Sequence, residues 1–102
     1  MAEKLYHNDR PIPVHPGRIL KRYLEQTGMS QKHFAEHIGI SYVYLSDIIN
    51  CRKGVSARIA YKLEAALGVS ASVWINLQAQ WDLSQVNRLD VVSGIKKIKL
   101  AA

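Results

Sequence analysis

The chain has 102 residues, the length of one domain, and a domain of this size buries roughly 60–65% of its unfolded surface, enough for a single modest core. Hydrophobic residues make up 48% and charged residues 22%, a globular balance that excludes wholesale disorder. Fourteen Lys and Arg against eight Asp and Glu give a net charge of +6, which favours an anionic partner, although the charge is spread over both halves and forms no basic tail.

One cysteine, Cys51, rules out an internal disulfide and fits a reducing compartment. No apolar run approaches the ~20 residues that span a bilayer, and Met1–Asp9 lacks the apolar segment of a secretory signal, so the expected location is the cytoplasm.

Residues 1–14 hold Pro11 and Pro13 around Ile12, show no helical period and read as an extended arm. His15-Pro16-Gly17 opens the first helix, with Pro16 at the first helical position, where a missing N–H costs nothing. Ile19, Leu20, Tyr23 and Leu24 form its apolar stripe, and Gly28 ends it in a left-handed conformation. Ser30 caps a second helix with Phe34, Ala35 and Ile38 inward, and Gly39 stops it. Ser41 caps a third, running to Asn50, with Leu45, Ile48 and Ile49 inward. Only Gly39-Ile40 separates these two helices, which forces a sharp angle between them.

Asn50-Cys51-Arg52-Lys53-Gly54 is a polar, basic turn. Ser56 caps a fourth helix with Ile59, Ala60, Leu63 and Leu67 inward, ended by Gly68. Ser70 or Ser72 starts a fifth, with Trp74, Leu77 and Trp81 at helical spacing. After Ser84 the pattern weakens. Val91, Val92, Ile95, Ile98 and Leu100 fit neither period, and Lys96, Lys97 and Lys99 interrupt them, so a strand, a short helix and disorder all stay open for residues 84–102.

The order from Ser30 to Gly54 carries the functional signal. Gly39 permits a tight turn, and Ile38, Ile40, Leu45 and Ile48 lock two helices together as a helix-turn-helix. The outward N-terminal face of the third helix is then free to enter a major groove. With Leu45 inward, Val43, Ser46, Asp47 and Asn50 point most nearly away, and Tyr42 and Tyr44 flank them. The expected base-reading set is Ser41, Tyr42, Val43, Tyr44, Ser46 and Asp47, in which Val43 suits a thymine methyl and Asp47 a cytosine amino group. Gln31, at the start of the second helix, and Asn50, Arg52 and Lys53, after the third, are placed to clamp phosphates.

This stretch resembles the helix-turn-helix of the phage-repressor-like (XRE) family. The flanks, His15-Pro16-Gly17-Arg18-Ile19-Leu20 and Trp74-Ile75-Asn76-Leu77-Gln78-Ala79-Gln80-Trp81-Asp82-Leu83, are similar to HigA/VapI-type antitoxins of bacterial toxin–antitoxin systems. The resemblance implies an all-α, five-helix lambda-repressor-like domain over residues 15–83, with a C-terminal extension over 84–102 that contacts a dimer mate or a toxin. It also implies a homodimer that binds an operator upstream of its own operon and silences a small HigB/RelE-type ribonuclease toxin. A stand-alone phage- or plasmid-type repressor and a protein-interaction module are the competing readings. Two departures stand out. Cys51 occupies a position where the family usually has glycine, which would strain a left-handed backbone there. The reading helix is also apolar and aromatic, without glutamine.

His33-Phe34-Ala35-Glu36-His37 matches an H-x-x-E-H zinc pattern, but Phe34 and Ala35 belong to the core face and only an unsupported residue such as Glu64 could complete a site. No nucleophile–base set, phosphate-cradling glycine loop or cofactor motif is present, so the chain reads as a non-enzyme without metal or cofactor.

Overall fold

The structure, a computed structural model, describes residues 12–101. Among these residues six helices follow in order: α1 Pro16–Thr27, α2 Gln31–Ile38, α3 Tyr42–Ile49, α4 Ala57–Leu67, α5 Ala71–Ser84 and α6 Arg88–Val92. No strand occurs among the described residues, so the all-α expectation holds. The expected arm over residues 1–14 lies outside the described residues as far as position 11, and 12–14 have no regular structure.

The polar residue before each helix does the work expected of it. The hydroxyls of Ser30, Ser41, Ser56 and Ser70 accept the N–H of His33, Tyr44, Ile59 and Val73, so Ser70 rather than Ser72 caps α5. The cap of α1 differs. His15 is only 3% exposed, and its Nδ1 accepts the N–H of Gly17 at 2.9 Å, ahead of Pro16. An imidazole replaces the usual hydroxyl, which places the ring's one proton on Nε2 while the ring is neutral.

The core joins Leu20 and Leu24 of α1, Phe34, Ala35 and Ile38 of α2, Leu45, Ile48 and Ile49 of α3, Ile59, Ala60 and Leu63 of α4 and Trp74 of α5. Val55, in the loop before α4, completes it. Helix α3 packs on both α1 and α2, and α5 packs on α4 and α1. Gly17 marks the α1–α3 crossing, because a Cβ there would collide with the carbonyl oxygen of Ile48. The indole N–H of Trp74 donates to the carbonyl of Val69 at 3.2 Å, so the largest buried side chain keeps its polar group paired.

The α2–α3 turn closes by backbone bonds. Gly39 N–H donates to Glu36 O at 3.2 Å and Ile40 N–H to Ala35 O at 3.0 Å, with Gly39 at φ 75°. This is the paired-bond C-terminal cap in which a left-handed residue is followed by an apolar one, and half-buried Ile40 packs against the core. The Lys62 ammonium donates to Ile38 O at 2.8 Å, which ties α4 to the negative end of α2. Beyond α5, the tail contains one short helix, α6, and is otherwise irregular. Asn87 caps α6 through its side chain, and residues 95–101 carry no regular structure.

Candidate nucleic-acid interface

Helix α3 buries Leu45, Ile48 and Ile49 and turns the start of its other face outward. Tyr42 and Val43 are 50% and 66% exposed, so this end of the helix presents an aromatic and an aliphatic side chain outward. Ser41 spends a lone pair on the Tyr44 N–H at 3.0 Å and keeps its own proton to donate. Tyr44 is half-buried against the core, and the Lys53 ammonium sits 5.1 Å from its ring centroid.

Ser46 and Asp47 are less open than a helical wheel implies, because the following turn folds back over them. The Asn50 side-chain amide donates to Ser46 O at 2.9 Å and to Ser46 Oγ at 3.2 Å. Arg52 Nε lies 3.0 Å from Asp47 Oδ1 and Lys53 Nζ lies 3.9 Å from Oδ2, leaving the Asp47 side chain 19% exposed. The backbone repeats the arrangement: Arg52 and Lys53 both donate their N–H to Asp47 O, at 2.7 and 3.2 Å, and Cys51 donates to Ile48 O at 3.0 Å. This geometry demands a left-handed residue at Cys51, and its φ is 63°. Carboxylate and carbonyl of one residue thus fix a turn whose two cations stay 60% and 56% exposed.

The structure therefore gathers Tyr44, Asp47, Arg52 and Lys53 into one set and pairs Ser46 with Asn50 next to it, both beside the open Ser41–Val43 end of α3. Gln31 stands apart, half-buried at the first position of α2, with no side-chain hydrogen bond to the others. Two residues near the site escape the sequence reading. Val55 is 4% exposed, and its N–H donates to Gln78 Oε1 of α5 at 2.7 Å. The sequence marks Gln78 only as one position of the Trp74–Leu83 motif, one turn before Asp82, and assigns it no role. His33 and His37 are exposed, and no group of three metal-binding side chains forms among the described residues.

Comparison with known proteins decides the family. A helix-turn-helix family model matches residues 20–74, more than half of the chain. The chain belongs to the helix-turn-helix family. Within it, antitoxin HigA-1 of Vibrio cholerae is 41% identical over 73 residues, covering 70% of this chain and 68% of that protein. Virulence-associated protein A′ of Dichelobacter nodosus is 40% identical over 75 residues; the match takes in 72% of this chain and spans 65% of the relative, just under two thirds of its length. Antitoxin GraA, solved in complex with its operator, superposes with a TM-score of 0.77 at 27% identity, covering 90% of this chain and 97% of that one. The resemblance to HigA-type antitoxins read from the two flanking motifs is thus borne out, and the family is one of DNA-binding transcriptional regulators.

Proposed function

We propose that the chain is the antitoxin of a type II toxin–antitoxin system, acting in the cytoplasm. As a homodimer it binds an operator upstream of its own operon and represses it, and it neutralises a HigB/RelE-like ribonuclease toxin. One observation carries the DNA half of this reading: the open, apolar Ser41–Val43 end of α3 lies beside a turn that is fixed yet leaves two cations exposed. A helix end shaped to meet base edges and a pre-set pair of phosphate clamps are what major-groove docking needs. The operator complex of GraA, whose fold this chain shares, supports it.

Within this reading Tyr42 and Val43 read bases, with Val43 against a thymine methyl. Ser41 and Tyr44 donate to phosphate or base edges. Gln31 and the α2 N-terminus hold one phosphate, and Arg52, Lys53 and Asn50 hold the next. Asp47, with both oxygens engaged, holds the cations in place, and Ser46 orients Asn50.

The toxin half rests on the similarity to HigA-1 and on the tail. Leu83, Val86, Leu89, Val91, Ile95, Ile98 and Leu100 are each more than half exposed, an apolar run that monomers rarely leave in water. We assign it to the dimer mate or the toxin.

Binding to the upstream DNA tests the DNA half. A dimer that neutralises about 6–10 phosphates loses roughly 10³–10⁵ in affinity between 50 and 200 mM salt; weak, salt-insensitive binding contradicts it. Co-expression with the neighbouring gene's product tests the other half. Relief of growth arrest is expected, and its absence leaves a stand-alone repressor.

A further inference from the structure

Helix α5 contributes one polar side chain to the clamp turn. Gln78 is half-buried and uses both ends of its amide: Oε1 accepts the Val55 N–H at 2.7 Å, and Nε2 donates to Asp82 Oδ1 at 2.9 Å. Among the described residues, this Val55 bond is the only hydrogen bond that ties residues 50–55 to any helix other than α3. The amide also lies flat over Gly54. A Cβ there would stand 2.8 Å from Gln78 Cδ and Oε1 and 2.9 Å from Nε2, so glycine at this position makes room for the contact.

The brace continues along α5. Next to Asp82, the Trp81 ring meets the His15 ring edge-on, with centroids 5.3 Å apart and planes at 79°. His15 in turn caps α1, the helix that packs on α3. The two flanking motifs that single out the antitoxin resemblance therefore touch each other, and Gln78 connects their junction to the turn carrying Arg52 and Lys53.

We infer that Gln78 is a positioning residue for DNA binding: by holding Val55 and covering Gly54 it sets where the Arg52–Lys53 turn stands relative to α3. The inference rests on the phosphate-clamp role proposed above. With its α3 side fixed by Asp47 and its far side fixed by Gln78, the turn is held at both ends. Without Gln78 it keeps its internal bonds but hinges at Gly54, and the cations meet phosphates less often.

Two substitutions separate positioning from plain support. Gln78→Met keeps the length of the side chain and removes both hydrogen bonds. Gly54→Ala leaves every core side chain in place and puts a methyl where the amide lies, so it answers the question even if Gln78→Met fails to fold. On a duplex of the chain's own upstream sequence, each variant is expected to bind about 3- to 10-fold more weakly, the range of one lost hydrogen bond. The slope of log K against log salt becomes shallower by about one to two, the loss of one phosphate contact per protomer. Exchange of the Val55 amide hydrogen accelerates by about 10-fold while the Leu63 amide stays protected. The double variant binds no worse than about the weaker single one, because both remove the same contact.

A folded Gln78→Met or Gly54→Ala with wild-type affinity and salt slope overturns the inference. So does weaker binding with an unchanged slope and unchanged Val55 exchange, the mark of a merely supporting role. Arg52→Ala is the reference. If it flattens the salt slope and the Gln78 and Gly54 variants do not, the positioning role alone falls; if it changes nothing, the clamp reading falls and takes this inference with it.

Discussion

At the scale of single residues, the site divides into side chains already engaged by the protein and side chains left open. Val43→Ala and Tyr42→Ala are expected to change which DNA sequence is preferred, whereas Arg52→Ala weakens binding to all sequences alike. Competition binding against operator variants measures this, and equal effects of all three on every duplex contradict the division. Cys51 shows a different tension. A left-handed backbone costs a side-chain-bearing residue about 1–2 kcal/mol, and glycine's extra freedom in the unfolded chain returns about half of that. Cys51→Gly should therefore stabilise the fold by about 0.5–1 kcal/mol in urea denaturation, and a loss of stability would show that the thiol packs more usefully than its half-burial implies. His15 titrates below its ordinary value of 6.5, because burial disfavours its charged form more than the nearby Asp82 carboxylate favours it. The unfolded chain then holds this proton to higher pH than the folded chain does. Between the lowered folded value and 6.5, stability rises with pH, and it is lost as pH falls through that window. Melting temperature should climb from pH 5 to pH 7. His15→Asn, which can still cap α1 but does not titrate, should flatten the climb; an equally steep profile would assign the pH dependence to other groups.

At the scale of elements, the sequence shows the helices and hides much of what joins them. Serine caps, glycine stops and apolar stripes act within one or two turns, so Ser30, Ser41, Ser56, Gly28, Gly39 and Gly68 are readable from their neighbours alone. The cap by His15 is not, because it depends on burial that Trp81, 66 positions away by the numbering, helps to provide. Val55 stays hidden for the same reason: a lone valine in a polar turn has no period to betray it. In the candidate site, the open Tyr42–Val43 end follows from the helical period, but the covering of Ser46 and Asp47 comes from the turn after α3 folding back, which no wheel describes. Gly17 is the strictest joint between elements. With the Ile48 carbonyl against it, Gly17→Ala must push α1 off α3, and it should cost more than about 3 kcal/mol, within the range of severe overpacking. A thermal or urea midpoint near wild type would mean that the crossing yields more easily than its packing implies.

At the scale of the molecule, the described chain has a packed body ending near Ser84 and an apolar tail with little to pack on. That tail is the least readable part of the sequence, because its apolar residues fit neither the helical nor the strand period and Lys96, Lys97 and Lys99 interrupt them. Paired substitutions Leu89→Asp and Ile98→Asp should leave the body folded and shift the protein from dimer to monomer in sedimentation, or else abolish toxin binding. If both assemblies survive, the tail does neither job. DNA binding by a two-fold dimer is the claim on which the rest depends, and a footprint on the chain's own upstream DNA tests it most directly. Two protected half-sites about one helical turn apart, roughly 34–36 Å, both lost with Arg52→Ala, are the predicted result. A single protected half-site, or no protection at all, would contradict it.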